Sequence, residues 1–399
     1  EVSQVINGKR VIVKKPELLA PAGNLEKLKV AILYGADAVF IGGKEFSLRS
    51  SASNFSLDDI KEAVEFAHAH HAAIHVTCNI ILHEDNLEGL EDYLLKLDEI
   101  GVDAIIVADP YIMSLAKKLN LKLEVHVSTQ LSTMNTSAIH FYENLGVDRV
   151  VFAREVDYQD LKEVREKVDI DLEYFIHGAM CIHYSGRCML SNYFSRRDAN
   201  RGGCSQSCRW YYDIFEKGQQ LNHDEIVPFS MSSKDMSLVD ELPKLIELGV
   251  DSFKIEGRMK TALYVATVAR TYRKALDDLA QGREVYEKNL PWYEQQITGC
   301  TYRRFTTGFF YGKPDDTAQI YDSNTYEKDY VYLGITGKAD ENGVFDLEQK
   351  NKFSVREIIE IMKPDGRNIE TVVEGIWDLE GNEQESAPHA RQALKVKLR

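Results

Sequence analysis

Four of the six cysteines, Cys181, Cys188, Cys204 and Cys208, fall within twenty-eight residues, whereas Cys78 and Cys300 stand alone. The grouped spacings are Cys-x6-Cys, then fifteen residues, then Cys-x3-Cys. Four thiolates are the usual shell of an iron–sulfur cluster or a structural zinc ion. Zinc ribbons favour Cys-x2-Cys knuckles, because the tight turn sets adjacent thiolates at tetrahedral angles, and that spacing is absent. Wide, uneven spacings suit a cubane of the 4Fe-4S kind, whose irons offer attachment points spread over several ångströms. Four reduced core cysteines are the competing reading. The flanking Gly186-Arg187, Gly202-Gly203 and Ser205-Gln206 are polar and loop-forming, unlike core strands.

Around these cysteines Arg187, Arg196, Arg197, Arg201 and Arg209 stand against Asp198, a local surplus of four positive charges. Trp210, Tyr211 and Tyr212 follow, aromatic faces on which a splayed base could stack. RNA contact through these arginines and Trp210 is one expectation; a solvated loop whose arginines pair with acidic neighbours is the other.

The elements that must hold such a loop repeat along the chain. Gly35-Ala36-Asp37, Gly101-Val102-Asp103, Gly146-Val147-Asp148 and Gly249-Val250-Asp251 each follow a helically spaced stretch and introduce an apolar run. The Gly ends the helix and the run buries as a parallel strand. Strands are predicted at 38–43, 104–108, 149–153 and 252–257, with four more between them at 17–20, 74–79, 123–130 and 172–178. Eight strands alternating with helices predict a TIM-like (β/α)8 barrel; an open doubly wound sheet competes, but no Gly-rich dinucleotide loop follows the first strand. Some seventy residues separate the seventh strand from the eighth, so the cysteines lie in an insertion on the C-terminal face, with a cluster loop over 179–212. The barrel is expected over 1–290, an aromatic-rich connecting segment over 291–329, and a small C-terminal all-β barrel domain over 330–399, where Asn-Gly, Asp-Gly and Gly-Asn turns separate short strands.

With the strands so placed, Asn79, Gln130, Arg154, Glu155, His177, Glu256 and Arg258 all fall at C-terminal strand ends. His177, Glu155 and Glu256 are the candidate catalytic groups, although His177 reads equally as a satisfied histidine beside a metal loop. Arg49, Arg154 and Arg258, with Asn79 and Gln130, are the candidate substrate-binding set, since arginine grips a carboxylate with two parallel hydrogen bonds. Each arginine could instead serve a structural ion pair. His75 and His126 take inward-facing strand positions and suit core or supporting roles.

The stretch from Glu173-Tyr-Phe-Ile-His-Gly-Ala-Met-Cys181 to Ser185-Gly-Arg-Cys188-Met-Leu-Ser191 resembles the signature of the U32 peptidases, or collagenase-like proteases. Further similar blocks are Pro16 to Gly23, Phe46 to Arg49 with Asn54-Phe55, Ser128 to Gln130, Arg201 to Cys204, Cys208 to Trp210, Ser233 to Asp235 and Lys254 to Arg258. Within the family, Cys-x3-Cys before Arg-Trp is similar to the bacterial tRNA 5-hydroxyuridine branch. That resemblance implies an iron–sulfur cluster on the four grouped cysteines, tRNA as partner, hydroxylation of a wobble uridine, and prephenate, a small dicarboxylate, as hydroxyl donor. A paralogous family subunit is a further implied partner. Ser237 stands where some relatives carry a cluster cysteine, which leaves Cys208 as the implied fourth ligand.

A peptidase needs a nucleophile with a base, or a metal-bound water. The chain has no Gly-x-Ser-x-Gly elbow and no His-Glu-x-x-His helix, and a cysteine nucleophile would break the four-thiolate set. A non-catalytic RNA-binding protein with a structural cluster is the third reading. The net charge of -15 excludes wholesale coating of nucleic acid. Six cysteines without an apparent export signal suggest thiols kept reduced in the cytoplasm, and no run of eighteen apolar residues suggests a membrane span.

Overall fold

The computed structural model describes residues 2–6, 9–47, 54–221, 229–321, 323 and 325–399. Two compact units divide the chain, one of residues 1–297 and 301–327, the other of 298–300 and 328–399. In the first, eight parallel strands close a ring: β1 (Glu17–Pro21), β2 (Ala38–Gly42), β3 (Ala73–Cys78), β4 (Ala104–Val107), β5 (Glu124–Val127), β6 (Arg149–Val151), β7 (Asp171–Ala179) and β8 (Ser252–Ile255). Each pairs with the next, and β8 pairs with both β7 and β1. The helices α1 (Leu25–Leu33), α2 (Leu57–Ala69), α3 (Leu90–Ile100), α4 (Pro110–Lys118), α5 (Thr136–Asn144) and α6 (Tyr158–Arg165) follow the first six strands. After β7 come the short helix α7 (Leu190–Ser195), within the insertion, and α8 (Leu242–Glu247), which leads into β8. The (β/α)8 expectation is met. No helix among the described residues is long and apolar enough to cross a membrane.

The four Gly-x-Asp motifs do more than end helices. Gly101 caps α3 at φ 92°, in the left-handed region that glycine enters without a Cβ clash. The aspartate two residues on staples its strand to the preceding one. Asp37, Asp103, Asp148 and Asp251 accept the backbone N–H of Leu18, Ile74, Val125 and Leu172 at 2.8–2.9 Å. Each aspartate returns its own N–H to the carbonyl of the same residue. The amides of Leu18, Ile74, Val125 and Leu172, second in β1, β3, β5 and β7, are thereby satisfied at the barrel rim. The barrel is four stapled strand pairs.

Several boundaries differ from the sequence reading for local reasons. β5 stops at Val127 because the Ser128 hydroxyl caps a 3-10 turn over Thr129–Leu131. Residues 291–297, expected as connection, belong to a helix. After α9 (Ala262–Gln281), the chain forms α10 (Arg283–Ile297) around Pro291, whose missing N–H removes one internal bond. Asp278 in α9 accepts from Tyr293 and Asn289 of α10 and fixes the pair. The second unit is all-β. Strands β9 (Val344–Glu348), β10 (Ile358–Met362), β11 (Asn368–Trp377), β12 (Glu383–Gln384) and β13 (Ala393–Leu398) pair antiparallel in the order β9-β13-β11-β10, with β12 on β11. That order is an open path rather than a closed barrel, and residues 330–335 are not a strand. Its core is Leu347, Phe353, Val373, Ile376, Ala387, Leu394 and Val396.

Asp148 tests the staple, because no ion pair among the described residues holds it and Glu124 and Asp171 repel its charge. Burial, before those two neighbours, pushes its carboxyl above the usual range. Asp148→Ala is expected to lower stability to urea by roughly 1–3 kcal/mol. Asp148→Asn keeps an acceptor for Val125, loses the repulsion, and should stay within about 0.5 kcal/mol of the parent. Equal losses in both would show that the charge, not the acceptor, matters.

Candidate functional site

The insertion after β7 carries little regular structure, so hydrogen bonds to the barrel rim must position its cysteines. Both Glu155 carboxylate oxygens receive Ser185, through its N–H at 3.1 Å and its hydroxyl at 3.0 Å. Ser185 is buried, and its Oγ also accepts the Arg154 N–H at 3.3 Å. Beside it Gly186, at φ 76°, lies so close to Gln130 that a Cβ would sit 2.0 Å from the Gln130 carbonyl oxygen. The stretch between Cys181 and Cys188 is thus pressed onto the turn after β5 and tied to the end of β6.

Arg209 ties the other two cysteines to the first. Its guanidinium donates to the Met180 carbonyl at 2.6 Å and to the Ser232 hydroxyl and Ser233 carbonyl at 2.9 Å each. Cys208 and Cys181 are the chain neighbours of the two ends of this clamp. Between them Ser191, Ser195 and Ser205 bond one another at 3.0–3.2 Å and anchor α7 beside Cys204. Arg209, expected to touch RNA, is instead committed inside the loop.

The four thiols sense one another. Crowding by protein pushes the Cys208 thiol up, Arg209 draws it back, and Cys181, Cys204 and Cys188 each raise it further. Cys181, which solvent still reaches, is raised by the protein packed around it, lowered by Arg154 and Arg209, and raised by Glu256 and Cys204. Two arginines therefore stand ready to stabilise thiolate there. Among the described residues, His75, His126 and Glu173 form a separate set of ligand side chains whose atoms lie within 4.8 Å of one another. Cys78 and Cys300 are buried elsewhere, with burial pushing the Cys78 thiol up to about 12.

Deeper in the mouth, Arg154 pairs with Glu256 at 3.2 Å and lies over the Phe175 ring at 3.9 Å. Arg258 is buried, with one guanidinium nitrogen 3.0 Å from the Thr77 hydroxyl and 3.3 Å from that of Ser47; Gly42 leaves it room. Gln130 Oε1 is buried without a hydrogen-bond partner among the described residues. Asn79 follows directly on β3. Arg49 lies outside the described residues.

His177 does not face this mouth as a free base. It is buried, and its Nδ1 lies 3.0 Å from the Tyr272 hydroxyl, which in turn donates to the Ile176 carbonyl. Burial first, and then Lys260, lowers it to about 3. It is a neutral, bonded core histidine.

Of the remaining arginines, Arg201 bonds His83 at 3.0 Å and Asn86 at 2.8 Å, while Arg187 touches only the Ser132 hydroxyl at 3.4 Å and is otherwise exposed. Arg196 and Arg197 are exposed. Trp210 is exposed too, and the Phe194 ring, 53% exposed, lies 6.3 Å from it and 5.5 Å from that of Tyr212. Phe194 escaped the sequence reading because it stands on α7, away from the Trp-Tyr-Tyr run. Asp235 was also missed, although it lies in a family-like block. It is buried 3.7 Å from Arg303, pairs with Ala179, and Lys260 and Arg303 both lie over Tyr326.

A (β/α)8 barrel with four coupled thiols and an arginine-bearing mouth on one face is thus the class of protein present. The chain belongs to the U32 peptidase family: it matches the family described as Peptidase family U32 over residues 23–320 and Peptidase family U32 C-terminal domain over 328–399. It is 48% identical to "tRNA hydroxylation protein P1" of Bacillus subtilis over 403 residues, covering 100% of this chain and 95% of that one. It is 32% identical to "tRNA hydroxylation protein P" of Escherichia coli, covering 94% and 92%. To "23S rRNA 5-hydroxycytidine C2501 synthase" of Escherichia coli it is 41% identical over 268 residues, covering 67% and 40%.

The sealed state of His177 has a measurable sign. Its folded value lies below its unfolded one, so its contribution is present above about pH 6.5 and is lost as pH falls towards 3. Over about pH 6 to 4, the stability of the parent should fall more steeply than that of His177→Gln, by roughly 1.4 kcal/mol per pH unit. Urea unfolding across that range reads the difference. Parallel slopes would mean the histidine is not sealed.

Proposed function

We propose that this chain hydroxylates RNA at carbon 5 of a pyrimidine, with a tRNA wobble uridine as substrate, an iron–sulfur cluster on Cys181, Cys188, Cys204 and Cys208, and prephenate as hydroxyl donor. The observation that carries this is the end-to-end likeness to a tRNA hydroxylation protein in a chain whose four grouped thiols share one face. Their uneven spacing along the chain, without a Cys-x2-Cys knuckle, favours a cluster of the 4Fe-4S kind over a zinc ribbon. A cluster bound there would supply electron transfer or a Lewis-acidic iron at the barrel mouth.

The chain's own groups do the rest. Arg154 and Arg209 offset the negative charge of thiolates. The Arg258 guanidinium offers its charge to a carboxylate inside the mouth, and Gln130 Oε1 can accept from a hydroxyl or amide of the substrate. Arg154 reaches a carboxylate by releasing Glu256, which is then left as a base near Cys181. Outside, Phe194, Trp210 and Tyr212 offer stacking faces, and Arg187, Arg196 and Arg197 offer charge to phosphates. Peptide hydrolysis, which the family name suggests, finds no base in His177, already neutral and bonded to Tyr272.

Replacing any of Cys181, Cys188, Cys204 or Cys208 by Ala should abolish most bound iron in anaerobically purified protein, while Cys78→Ala and Cys300→Ala leave it unchanged. Nucleoside mass spectrometry of tRNA from cells lacking the gene should show 5-hydroxyuridine restored by the parent and not by the four variants. Unchanged hydroxyuridine on deletion, with gelatin cleaved by the pure protein, would establish the peptidase instead.

The arginines divide by role. Arg154→Lys and Arg258→Lys should reduce prephenate-dependent hydroxylation nearly as much as Ala does, by about one to two decades, because an ammonium cannot make the bidentate fork. Arg196→Lys and Arg197→Lys should be mild, since phosphate contacts mainly need charge.

A further inference from the structure

A second donor set lies inside the barrel, away from the cysteines. His75, His126 and Glu173 are each the third residue of their strand, on β3, β5 and β7. Alternate strands contribute the side chains of one barrel layer, and their ligand atoms all lie within 4.8 Å of one another. The imidazole rings meet edge to face at 4.8 Å. All three residues are buried, Glu173 and His126 completely.

Two features separate this set from an ordinary polar core. The Nδ1 atoms of both histidines are buried with no hydrogen-bond partner, an uncommon state in native interiors. His126 is also oriented from behind: its Nε2 lies 2.7 Å from the Glu124 carboxylate at the rim. With the Nε2 proton directed at Glu124, the unpartnered Nδ1 keeps its lone pair, as when a histidine binds a metal with a carboxylate at its back.

The local charge also suits a cation. Glu173 already receives Lys254 at 2.7 Å and Arg149 at 3.2 Å, but Arg149 also binds Glu17 at 2.7 Å and Asp171 at 3.2 Å. Four carboxylates, Glu17, Glu124, Asp171 and Glu173, thus face two cationic groups, with Lys14 at the rim shared between Asp171 and Asp251. Each Glu173 oxygen keeps a lone pair beyond the one its cation uses.

We propose that His75, His126 and Glu173 bind one divalent transition-metal ion, zinc(II) or one of similar softness, as a structural site in the barrel floor. Two imidazoles and a carboxylate suit such an ion better than calcium or magnesium. The partly exposed Glu17, Glu124 and Asp171 form an acidic entrance from the N-terminal face.

The test uses anaerobically purified protein with its iron intact, loaded with zinc chloride, gel-filtered, and measured by elemental analysis and zinc-edge X-ray absorption. The expected result is about one zinc per chain, with a nitrogen and oxygen shell at roughly 2.0–2.1 Å and no sulfur. His126→Gln should lose that zinc and keep its iron. Glu124→Gln, at the exposed rim and outside the ligand set, should weaken zinc binding by about 10–100-fold, which keeps the idea testable if the buried variant does not fold. No retained zinc in the parent, a sulfur shell around it, or parent-like affinity in Glu124→Gln would each overturn the site.

Discussion

Everything on the cysteine face depends on Arg209. One guanidinium, on the residue that follows Cys208, bonds three acceptors on two other chain segments, Met180, which leads directly into Cys181, and Ser232-Ser233. A loop with little regular structure has no ladder to satisfy most of its carbonyls, and here a single planar fork supplies part of what a ladder would. It also places a fixed positive charge beside sulfurs that are useful only when deprotonated. Glu155 plays the matching part for the stretch between Cys181 and Cys188, with the opposite sign. An acid and a base that the sequence offers as chemical or RNA-contacting groups are thus the two fasteners of the loop.

The barrel was legible because its information is local and repeated: a helix period, a glycine, an aspartate, an apolar run, four times over. Which cysteines belong together was legible for the same reason, since four lie close in sequence. What the side chains do was not. Glu155 and Arg209 look like functional groups in composition and spacing, and only the tertiary placement of Ser185 and Met180 reveals their partners. His177 follows the same logic, because Tyr272 comes to it from α9, ninety-five residues away. Phe194 was invisible because an aromatic on a short helix reads as core until its exposure is known.

The interior of the barrel is less apolar than its strand pattern suggests. Lys254, Arg149 and Glu173 are buried in a layer whose other side holds Leu19, Ala38, Phe40 and Ile106. Lys254 lies 4.5 Å from the centre of the Phe40 ring. Buried ion pairs of this kind seldom add net stability over a hydrophobic filling. They do restrict register, since a strand displaced by one residue would turn a charge outward and leave its partner unpaired in the interior.

The four aspartate staples differ in reach. Three join residues 19, 29 and 23 apart, whereas Asp251 reaches back 79 residues to Leu172, because the cysteine excursion lies between. Closing a loop three times longer costs on the order of 1 kcal/mol more in chain entropy, and contacts of long sequence separation form late. β8, which pairs with both β7 and β1, closes the ring across the longest of these four loops. The insertion that carries the four cysteines thus also sets the chain-entropy cost of closing the barrel.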